Sequence, residues 1–369
     1  MSREREEELR ARARKKSRAK KAAKRRRKKF ILMFSVEAIL LMVVLLCVFV
    51  LGKFDQIQKP DFKKEDIETN SLAAEVEEKL EGYTTYALFG VDARDNKTLD
   101  KGTHGDVVMI ASINNATKEV RLASIYRDTY LCISKDGKKY GKMTTAYYNG
   151  GAQNAIETLN KNFDLQITDY VTFNWAAVAT AINDLGGVTV DVPESMFKDN
   201  MINGYITFTV DATGIGSHHL KGPGEQLLDG IQAVSYCRIR YISGNDYGRT
   251  ERQREVVEKM LQKAKSADVG TLNSIVNHVF PQIATNLELP TIISLAADAG
   301  KFSMGATAGF PTDENRGNAT INKGAMVVPA TLEETAKELH MFLYDNAEYE
   351  PSSTVKAISK VIESDSGVH

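Results

Sequence analysis

Acidic and basic side chains stand at the ends of strongly apolar runs in the first half of the sequence. Asp92 directly follows one such run, Asp106 opens the next, and Arg127 and Asp128 follow a third. Apolar runs of this kind, flanked by turn-forming residues, are typical of buried strands. Charged residues at these positions are the most informative feature of the sequence.

Arginines recur farther along the chain. Arg238 and Arg240 are two residues apart, so both side chains point to the same face if that stretch is extended. Arg249 and Gln253 are four residues apart, which makes them neighbours on one face of a helix. The pattern predicts two polar faces in the second half of the chain.

Several arginines at one site suit a polyanion, because a guanidinium group presents a rigid fork of donors that matches phosphate oxygens. Carboxylates beside them would be repelled by phosphate unless a cation bridges the two, and Mg²⁺ takes one or two carboxylates plus phosphate oxygens. These residue types indicate metal-assisted chemistry on a pyrophosphate. For each residue taken singly, a surface ion pair is the alternative, since spacing along the chain does not show that the segments meet.

Hydrophobic periodicity predicts the elements that position these residues. Strands are expected over 83–91, 106–114, 119–126, 169–174 and 188–192, and helices over 151–162, 175–185, 224–236 and 248–265. The second and third strands form a hairpin. Helical stretches over 267–343 alternate with a segment near 326–328. Interspersed strands and helices without a repeat predict an α/β fold, a three-layer α-β-α domain with a central mixed sheet.

An apolar run from Phe30 to Leu51 contains one charged residue, Glu37. Twenty-two residues in a helix extend about 33 Å, which matches a hydrocarbon core of about 30 Å. Residues 1–29 hold 16 Lys and Arg against four Glu, so the positive-inside rule places them in the cytoplasm. The sequence therefore predicts a single-pass protein of the cell membrane whose remaining chain is extracytoplasmic.

The basic segment is compatible with nucleic-acid binding or with a topology signal that contacts anionic lipid. Its position beside the apolar run favours the second and predicts no nucleic-acid partner. The predicted organisation is a cytoplasmic tail (1–29), a transmembrane helix (30–51), a stalk (52–81), a catalytic domain (82–344) and a polar, loosely ordered tail (345–369).

Several site classes lack their signatures. The sequence contains no Walker or dinucleotide-binding glycine motif, no GxSxG and no HExxH. Cys47 lies in the apolar run, and Cys132 and Cys237 follow it without the spacing of a zinc site. A disulfide between Cys132 and Cys237 is a hypothesis that rests on their predicted location on the oxidising side of the membrane.

Six segments in order resemble the LytR-CpsA-Psr family. They are GVDAR, GDVVMIASIN, SIYRDTYL, DLGGVTVDVP, LDGIQAVSYCRIR and DYGRTERQR, which together cover roughly residues 82–265. The resemblance implies a sheet flanked by helices, with an interior pocket for a polyprenyl tail. It implies transfer of a secondary cell-wall glycopolymer, such as teichoic acid or capsule, from undecaprenyl pyrophosphate to peptidoglycan through a phosphodiester.

The resemblance also implies roles for particular residues. Asp92 and Asp106 would bind Mg²⁺ or Mn²⁺, and Asp92 would also be the first candidate to deprotonate the acceptor hydroxyl. The groups that bind the pyrophosphate or take part in catalysis would be Arg127, Arg238, Arg240, Arg249, Gln253 and Lys142, with Arg254 as a weaker candidate. The chain departs from the family's usual SDT and IPRD at Gly105–Val107 and Ile125–Asp128 but keeps the charged residues.

Other residues are assigned by type. Asp128 is expected to orient Arg127 through an ion pair, and Phe173, Trp175 and Val178 are expected in the core or in the lining of a lipid pocket. Two further functions remain open: a pyrophosphatase that releases its product to water, and a non-catalytic regulator that binds polyprenyl phosphate. The sequence does not identify which glycopolymer is moved.

Overall fold

The computed structural model describes residues 15–16, 48–92, 99–240, 242, 245–322 and 324–368. The chain divides into one unit that ends at Asp55 and a second from Gln56 to His369. In the first unit, residues 48–54 are helical. The second unit carries the residues that the sequence marks as chemically important.

The second unit alternates strands and helices along most of its length. The strands are β1 (Tyr83–Val91), β2 (Gly105–Asn114), β3 (Glu119–Ile125), β4 (Tyr130–Cys132), β5 (Tyr140–Lys142), β6 (Asp169–Asn174), β7 (Val188–Val192), β8 (Gly224–Leu228), β9 (Ile283–Thr285), β10 (Ser303–Phe310), β11 (Arg316–Ile321) and β12 (Gly324–Pro329). The helices are α1 (Ala74–Glu81), α2 (Met143–Phe163), α3 (Trp175–Asp184), α4 (Met201–Thr213), α5 (Gly230–Arg238), α6 (Asn245–Lys265), α7 (Val269–Val279), α8 (Leu289–Asp298), α9 (Leu332–Tyr344) and α10 (Ser353–Ser366).

Six strands form a central sheet in the order β10-β3-β2-β1-β6-β9. The pairs β1–β6 and β3–β10 are parallel, and β1–β2, β2–β3 and β6–β9 are antiparallel. The predicted α/β fold with a central mixed sheet is confirmed, as is the hairpin of β2 and β3. The short pairs β4–β5, β7–β8 and β11–β12 lie outside this sheet.

The two faces of the sheet have different neighbours because side chains alternate along each strand. On one face Phe89, Ile110 and Ile125 are buried in a core that includes residues of α2, α9 and α10. On the other face Tyr86, Ala111 and Leu122 form a smaller cluster with residues of α6 and α8. Helices therefore cover both faces, and the second face is the one that borders the site described below.

One secondary-structure prediction near the arginines is wrong in detail, and the condition stated for Arg238 and Arg240 is not met. The segment predicted as a helix over 224–236 begins as strand β8, which pairs with β7, and becomes helical at Gly230. Asp229 causes the change: its side chain accepts from the Gln232 N–H, and the Gln232 side chain accepts from the Asp229 N–H. Arg238 ends this helix, so the stretch from Tyr236 to Arg240 is not an extended segment.

The predicted stalk and tail also differ from the structure. From Gln56 onward the stalk packs on the domain: Phe62 contacts Tyr170, with ring centroids 4.9 Å apart, and Lys64 forms an ion pair with Asp169. The predicted loose tail contains α10, which buries Val355, Ile358 and Ile362. These apolar residues recur at helical spacing within a polar segment, so composition concealed an amphipathic helix.

The expected disulfide is absent, because Cys132 and Cys237 are both free thiols. Cys132 belongs to the core that includes α2, whereas Cys237 packs against a separate apolar cluster around α3 and α5. Of the predicted membrane span, all but residues 48–51 lies outside the described part of the chain. Within that described part, no helix combines the length and apolar character needed to cross a membrane.

Candidate functional site

A β-bulge places the two predicted acidic ligands at one end of the sheet. Gly90 pairs with Val107, but Val91 pairs with Gly105, so Asp106 is an extra residue in β2. A bulge redirects the side chain of the extra residue, and Asp106 thereby faces the same cavity as Val107. Asp92 directly follows β1 and lines this cavity too. The structure thus brings Asp92 and Asp106 together, as the sequence predicts.

The cavity has a volume of about 500 Å³ and lies between the sheet and helices α3, α5 and α6. Its body is apolar, and its lining includes Leu88, Met109, Val171, Phe173, Val178, Ala181, Val256, Val257, Met260, Val279 and Ile283. Its charged lining residues are Asp92, Asp106, Arg238, Arg240 and Arg249. The site therefore joins an apolar chamber to a group of opposite charges.

Asp106 is bracketed by two arginines. Arg127 Nη1 lies 2.5 Å from Asp106 Oδ1, and Arg240 Nη2 lies 4.0 Å from Asp106 Oδ2. Arg127 Nε is 3.6 Å from Asp128 Oδ2, and Lys142 Nζ is 2.9 Å from Asp128 Oδ1. A continuous chain of charge contacts thus runs from the cavity lining at Asp106 to Lys142. The predicted ion pair of Asp128 with Arg127 is present.

Arg238 is the last residue of α5, and its guanidinium group packs on aromatic rings. Arg238 Cζ is 3.4 Å from the ring centroid of Trp175, 4.8 Å from that of Phe208 and 5.7 Å from that of Tyr205. Arg238 Nη1 donates to Thr209 Oγ1 at 2.9 Å. The sequence predicts Trp175 in the core or in a lipid lining, and it carries no signal that points to Tyr205, Phe208 or Thr209.

The side chains of helix α6 face two parts of the structure, the cavity and the end of α5. Arg249 and Gln253 line the cavity, which confirms that they share a helix face. Arg249 is 3% exposed, and Gln253 Nε2 donates to the Cys237 carbonyl oxygen at 3.5 Å. Arg252 points to the end of α5 instead, where its Nε donates to the Tyr236 carbonyl oxygen at 3.1 Å. Arg252 therefore fixes the backbone that carries Arg238.

Arg254, the weaker candidate, lies outside the lining of the cavity. It is buried, and its guanidinium group is close to Tyr126 and Gly309. Burial lowers the pKa of Arg254, and it also lowers the pKa of Arg252. Arg249 is also buried but lines the cavity, so position, rather than removal from water, distinguishes the two arginines.

A second aromatic pair stands beside the carboxylates. The rings of His104 and Tyr148 are stacked, with centroids 4.9 Å apart and planes 23° apart. The carbonyl oxygen of His104 accepts from the Asp92 N–H at 3.4 Å. Tyr148 is 45% exposed, so this pair lies at the surface. In the sequence, this aromatic pair is indicated by His104, which lies two residues before Asp106.

The donor set of the cavity suits a hard divalent cation. Asp92 and Asp106 offer carboxylate oxygens only, and Mg²⁺ prefers a small number of carboxylates plus phosphate oxygens or water. No group of three or more His, Cys, Asp or Glu side chains is arranged for a metal in the described ranges. Two carboxylates would leave most coordination positions of such an ion to water or to phosphate oxygens.

Comparison with known proteins gives a consistent result. The chain matches the model of the LytR_cpsA_psr family over residues 49–337. It is 33% identical over 213 residues to an Enterococcus faecalis protein named polyisoprenyl-teichoic acid–peptidoglycan teichoic acid transferase TagU. That match covers 57% of this chain and 64% of the relative, so it spans less than two thirds of the relative's length.

Solved structures share the fold. A crystal structure from Enterococcus faecalis, described as a transcriptional regulator, matches with a TM-score of 0.59 at 22% identity, over 78% of this chain and 97% of the other. A structure described as TagT bound to LI-WTA matches with a TM-score of 0.53 at 20% identity, over 82% of this chain and 96% of the other. At these identities the similarity is one of fold.

Proposed function

The chain belongs to the LytR-CpsA-Psr family, and from that premise we propose that it is a phosphotransferase of the cell wall. Its donor is a secondary glycopolymer, of the teichoic acid or capsular polysaccharide type, carried on undecaprenyl pyrophosphate. Its acceptor is peptidoglycan, and its product is a phosphodiester on an N-acetylmuramic acid hydroxyl. The observation that carries the proposal is the apolar cavity with arginines and carboxylates in its lining.

A lipid-linked pyrophosphate is apolar along its chain and anionic at its head, and the cavity has the same division. Burial of an isoprenoid chain against Val178, Val257 and Met260 stabilises the complex by about 25 cal/mol for each Å² removed from water. Arg238, Arg240 and Arg249 supply the forked donors that phosphate oxygens accept. A soluble sugar phosphate would gain nothing from the apolar part, which favours the lipid-linked donor.

The transfer forms one P–O bond and breaks another. The acceptor hydroxyl oxygen attacks the phosphorus that carries the glycopolymer, and the bond from that phosphorus to the bridging oxygen breaks. Polyprenyl phosphate leaves with the bonding electrons. Negative charge grows on the phosphoryl and leaving oxygens, and the fixed guanidinium groups of Arg127, Arg238 and Arg240 offset it with little reorganisation.

Asp92 and Asp106 are the residues that would hold Mg²⁺ or Mn²⁺. Such an ion, when bound, supplies Lewis-acid stabilisation of phosphate charge. Asp106 has a second part in the site, since its carboxylate holds Arg127 and lies near Arg240. Calorimetric titration of the wild type and the Asp92→Asn variant with Mg²⁺ tests this assignment. Equal affinity for the ion in both proteins would contradict it.

The proton of the acceptor hydroxyl needs a base, and the sequence predicts Asp92 in that role. A positioned carboxylate contributes typically about a hundredfold or more to such a step. Asp92→Asn removes the basic oxygen and keeps the size of the side chain. Single-turnover rates at saturating Mg²⁺ separate this role from metal affinity, and an unchanged rate in the variant excludes Asp92 as the base.

Analysis of bound lipid tests the proposed donor. Mass spectrometry of lipid that co-purifies with the detergent-solubilised protein is expected to detect polyprenyl phosphate or its glycan-linked form. Arg240→Glu reverses a charge in the cavity lining and should abolish recovery of the lipid with the protein. Lys356→Glu, on the exposed side of α10, should leave the recovery of lipid unchanged. Absence of polyprenyl phosphate from repeated wild-type preparations would refute the proposal.

Analysis of product separates transfer from its alternatives. A glycopolymer–peptidoglycan phosphodiester supports the transferase, and free phosphorylated sugar identifies a pyrophosphatase. A non-catalytic regulator would retain full function in cells after Asp106→Ala. We favour the transferase because lipid binding alone does not require carboxylates within a cluster of arginines.

We also propose that the protein is anchored in the cell membrane with its N-terminus in the cytoplasm. The support is the sequence from 1 to 51, in which a basic segment precedes an apolar run. Anchoring places the cavity near the bilayer that contains a polyprenyl-linked donor. Protease added outside intact protoplasts should digest the chain after Gly52 and leave a short membrane-embedded fragment; full protection would contradict this orientation.

A further inference from the structure

The guanidinium group of Arg238 lies against the rings of Trp175, Tyr205 and Phe208, which together form an aromatic clamp. The ring centroid of Trp175 is 3.4 Å from Arg238 Cζ, and that of Phe208 is 4.8 Å away. An arginine over an aromatic ring is attracted by the ring's negative face, most strongly for tryptophan. The clamp therefore fixes the plane of the guanidinium group.

A hydrogen-bond network fixes the rotation of this group within its plane. Arg238 Nη1 donates to Thr209 Oγ1 at 2.9 Å, and Ser235 Oγ donates to the same oxygen at 3.0 Å. The Thr209 hydroxyl in turn donates to the Tyr205 carbonyl oxygen at 2.7 Å. Thr209 and Ser235 are fully buried, so water does not compete for these bonds. Together the clamp and the network leave Arg238 little orientational freedom.

Three separate elements meet at Arg238. Trp175 begins α3, Thr209 is near the end of α4, and Arg238 ends α5. Trp175 and Arg238 both line the cavity, together with the apolar residues Val178 and Ala181 of α3. Trp175 thus stands where charged lining meets apolar lining.

We propose that Trp175 is a positioning residue that presents Arg238 to the phosphate of the lipid-linked donor and so sets how deeply the head group enters the cavity. This inference rests on the proposed function. A guanidinium group that is already oriented loses little entropy when it binds phosphate, which improves affinity without any new contact. Trp175 acts through Arg238 and needs no contact with phosphate itself.

A double-mutant cycle tests whether Trp175 acts through Arg238. Affinity for undecaprenyl phosphate in detergent micelles is measured by calorimetry for the wild type, Trp175→Leu, Arg238→Ala and the double variant. Loss of the clamp should weaken binding about tenfold, within the range of a desolvated cation–π contact. In the Arg238→Ala background the same change should cost less than about twofold, since residues that act as a unit are not additive. Trp175→Phe, which keeps an aromatic ring, should recover most of the affinity.

The fluorescence of Trp175 provides a direct signal, because it is the single tryptophan of the chain. When Arg238 binds phosphate, the charge above the indole ring is partly neutralised, so the emission should change. Undecaprenyl phosphate should produce this change and undecaprenol, which lacks the phosphate, should not. Arg238→Ala removes the charge above the indole ring, so it should abolish the change at saturating lipid, even if Trp175→Leu proves too unstable to assay.

The outcomes separate this inference from the proposed function. Suppose that the wild type binds undecaprenyl phosphate and that the affinity of Trp175→Leu is within about twofold of the wild-type affinity, or that the effects of the two substitutions on affinity are additive. In either case the inference is wrong and the proposed function stands. If the wild type binds undecaprenyl phosphate without any change in emission, the inference is also wrong. If the wild type fails to bind it at all, both are wrong.

Discussion

Arg127 Nη1 lies 2.5 Å from Asp106 Oδ1, although the two residues are 21 positions apart in the chain. The bulge in β2 turns Asp106 toward the cavity, and the end of β3 delivers Arg127 to the same point. An arginine paired to a carboxylate in this way is fixed in place. The pair therefore links the predicted metal-binding carboxylate to the predicted phosphate-binding cation.

Arg127→Ala should lower kcat/KM at least about a hundredfold, as the loss of one fixed charge-stabilising donor typically does. The measurement is transfer of glycopolymer to peptidoglycan by purified protein. Arg121→Ala is the matched control, because Arg121 also forms ion pairs, with Glu119 and Asp345, but these partners do not line the cavity, whereas Asp106, the partner of Arg127, does. Equal activity of the two variants would contradict a role for Arg127 in the site.

Gly230→Ala should destabilise the fold by about 3 kcal/mol, the cost of overpacking a tight contact. Gly230 begins α5, and a methyl group there would overlap the carbonyl oxygen of Ala179 in α3. Gly204 lies in the interior of α4, where a methyl group would have no atom within 4 Å apart from the adjacent residues and the backbone of its own helix. Gly204→Ala should therefore stabilise the protein by about 0.5 kcal/mol. Urea unfolding measures the free energy of unfolding of both variants. Equal changes in this free energy would refute the tight contact at Gly230.

His340 should make the protein less stable in mild acid. Burial lowers the pKa of His340 from 6.5 to about 4, and its Nε2 lies 2.9 Å from the Phe163 carbonyl oxygen. Between those two pH values the unfolded chain binds a proton that the folded chain excludes. The free energy of unfolding therefore falls as the pH decreases through this window, by about 2 kcal/mol from pH 7 to 5 for this group alone.

His340→Gln isolates this effect, since glutamine can donate to the Phe163 carbonyl oxygen but does not titrate. Urea unfolding at pH 7 and pH 5 should show a smaller loss of stability in the variant than in the wild type. Carboxylates such as Asp345, whose pKa is lowered below its usual value by the hydrogen bond from Arg121, stay ionised between pH 7 and pH 5 and contribute equally in both proteins. Identical losses would show that His340 is protonated in the folded state.

Cys132 and Cys237 should both react with a thiol reagent when the protein is unfolded without reductant. Both are free in the folded protein, and burial raises the pKa of each thiol. Reaction in the folded protein should therefore be slow, because the thiolate is the reactive form. Mass spectrometry of labelled peptides gives the result, and an unlabelled pair released by reductant would establish a disulfide instead.

Local pattern was sufficient to predict several strands. β1, β6 and β7 have the predicted bounds, because each is a short apolar or alternating run with clear ends. Strand β10 was missed: its sequence SMGATAGF has small residues and no alternation. Its pairing with β3 supplies the stabilisation that its own residues do not indicate.

The sequence by itself determined the candidate charges and the helix face that unites Arg249 with Gln253, because helical spacing is a local property. Only the tertiary structure decided that Arg127 pairs with Asp106 and that Arg238 stacks on Trp175. Contacts between distant segments depend on the register of strands and the packing of helices, which no short window of sequence encodes. The polar C-terminal segment is different: the helical spacing of its apolar residues is local and predicts a helix, and only the surface on which that helix packs depends on the tertiary structure.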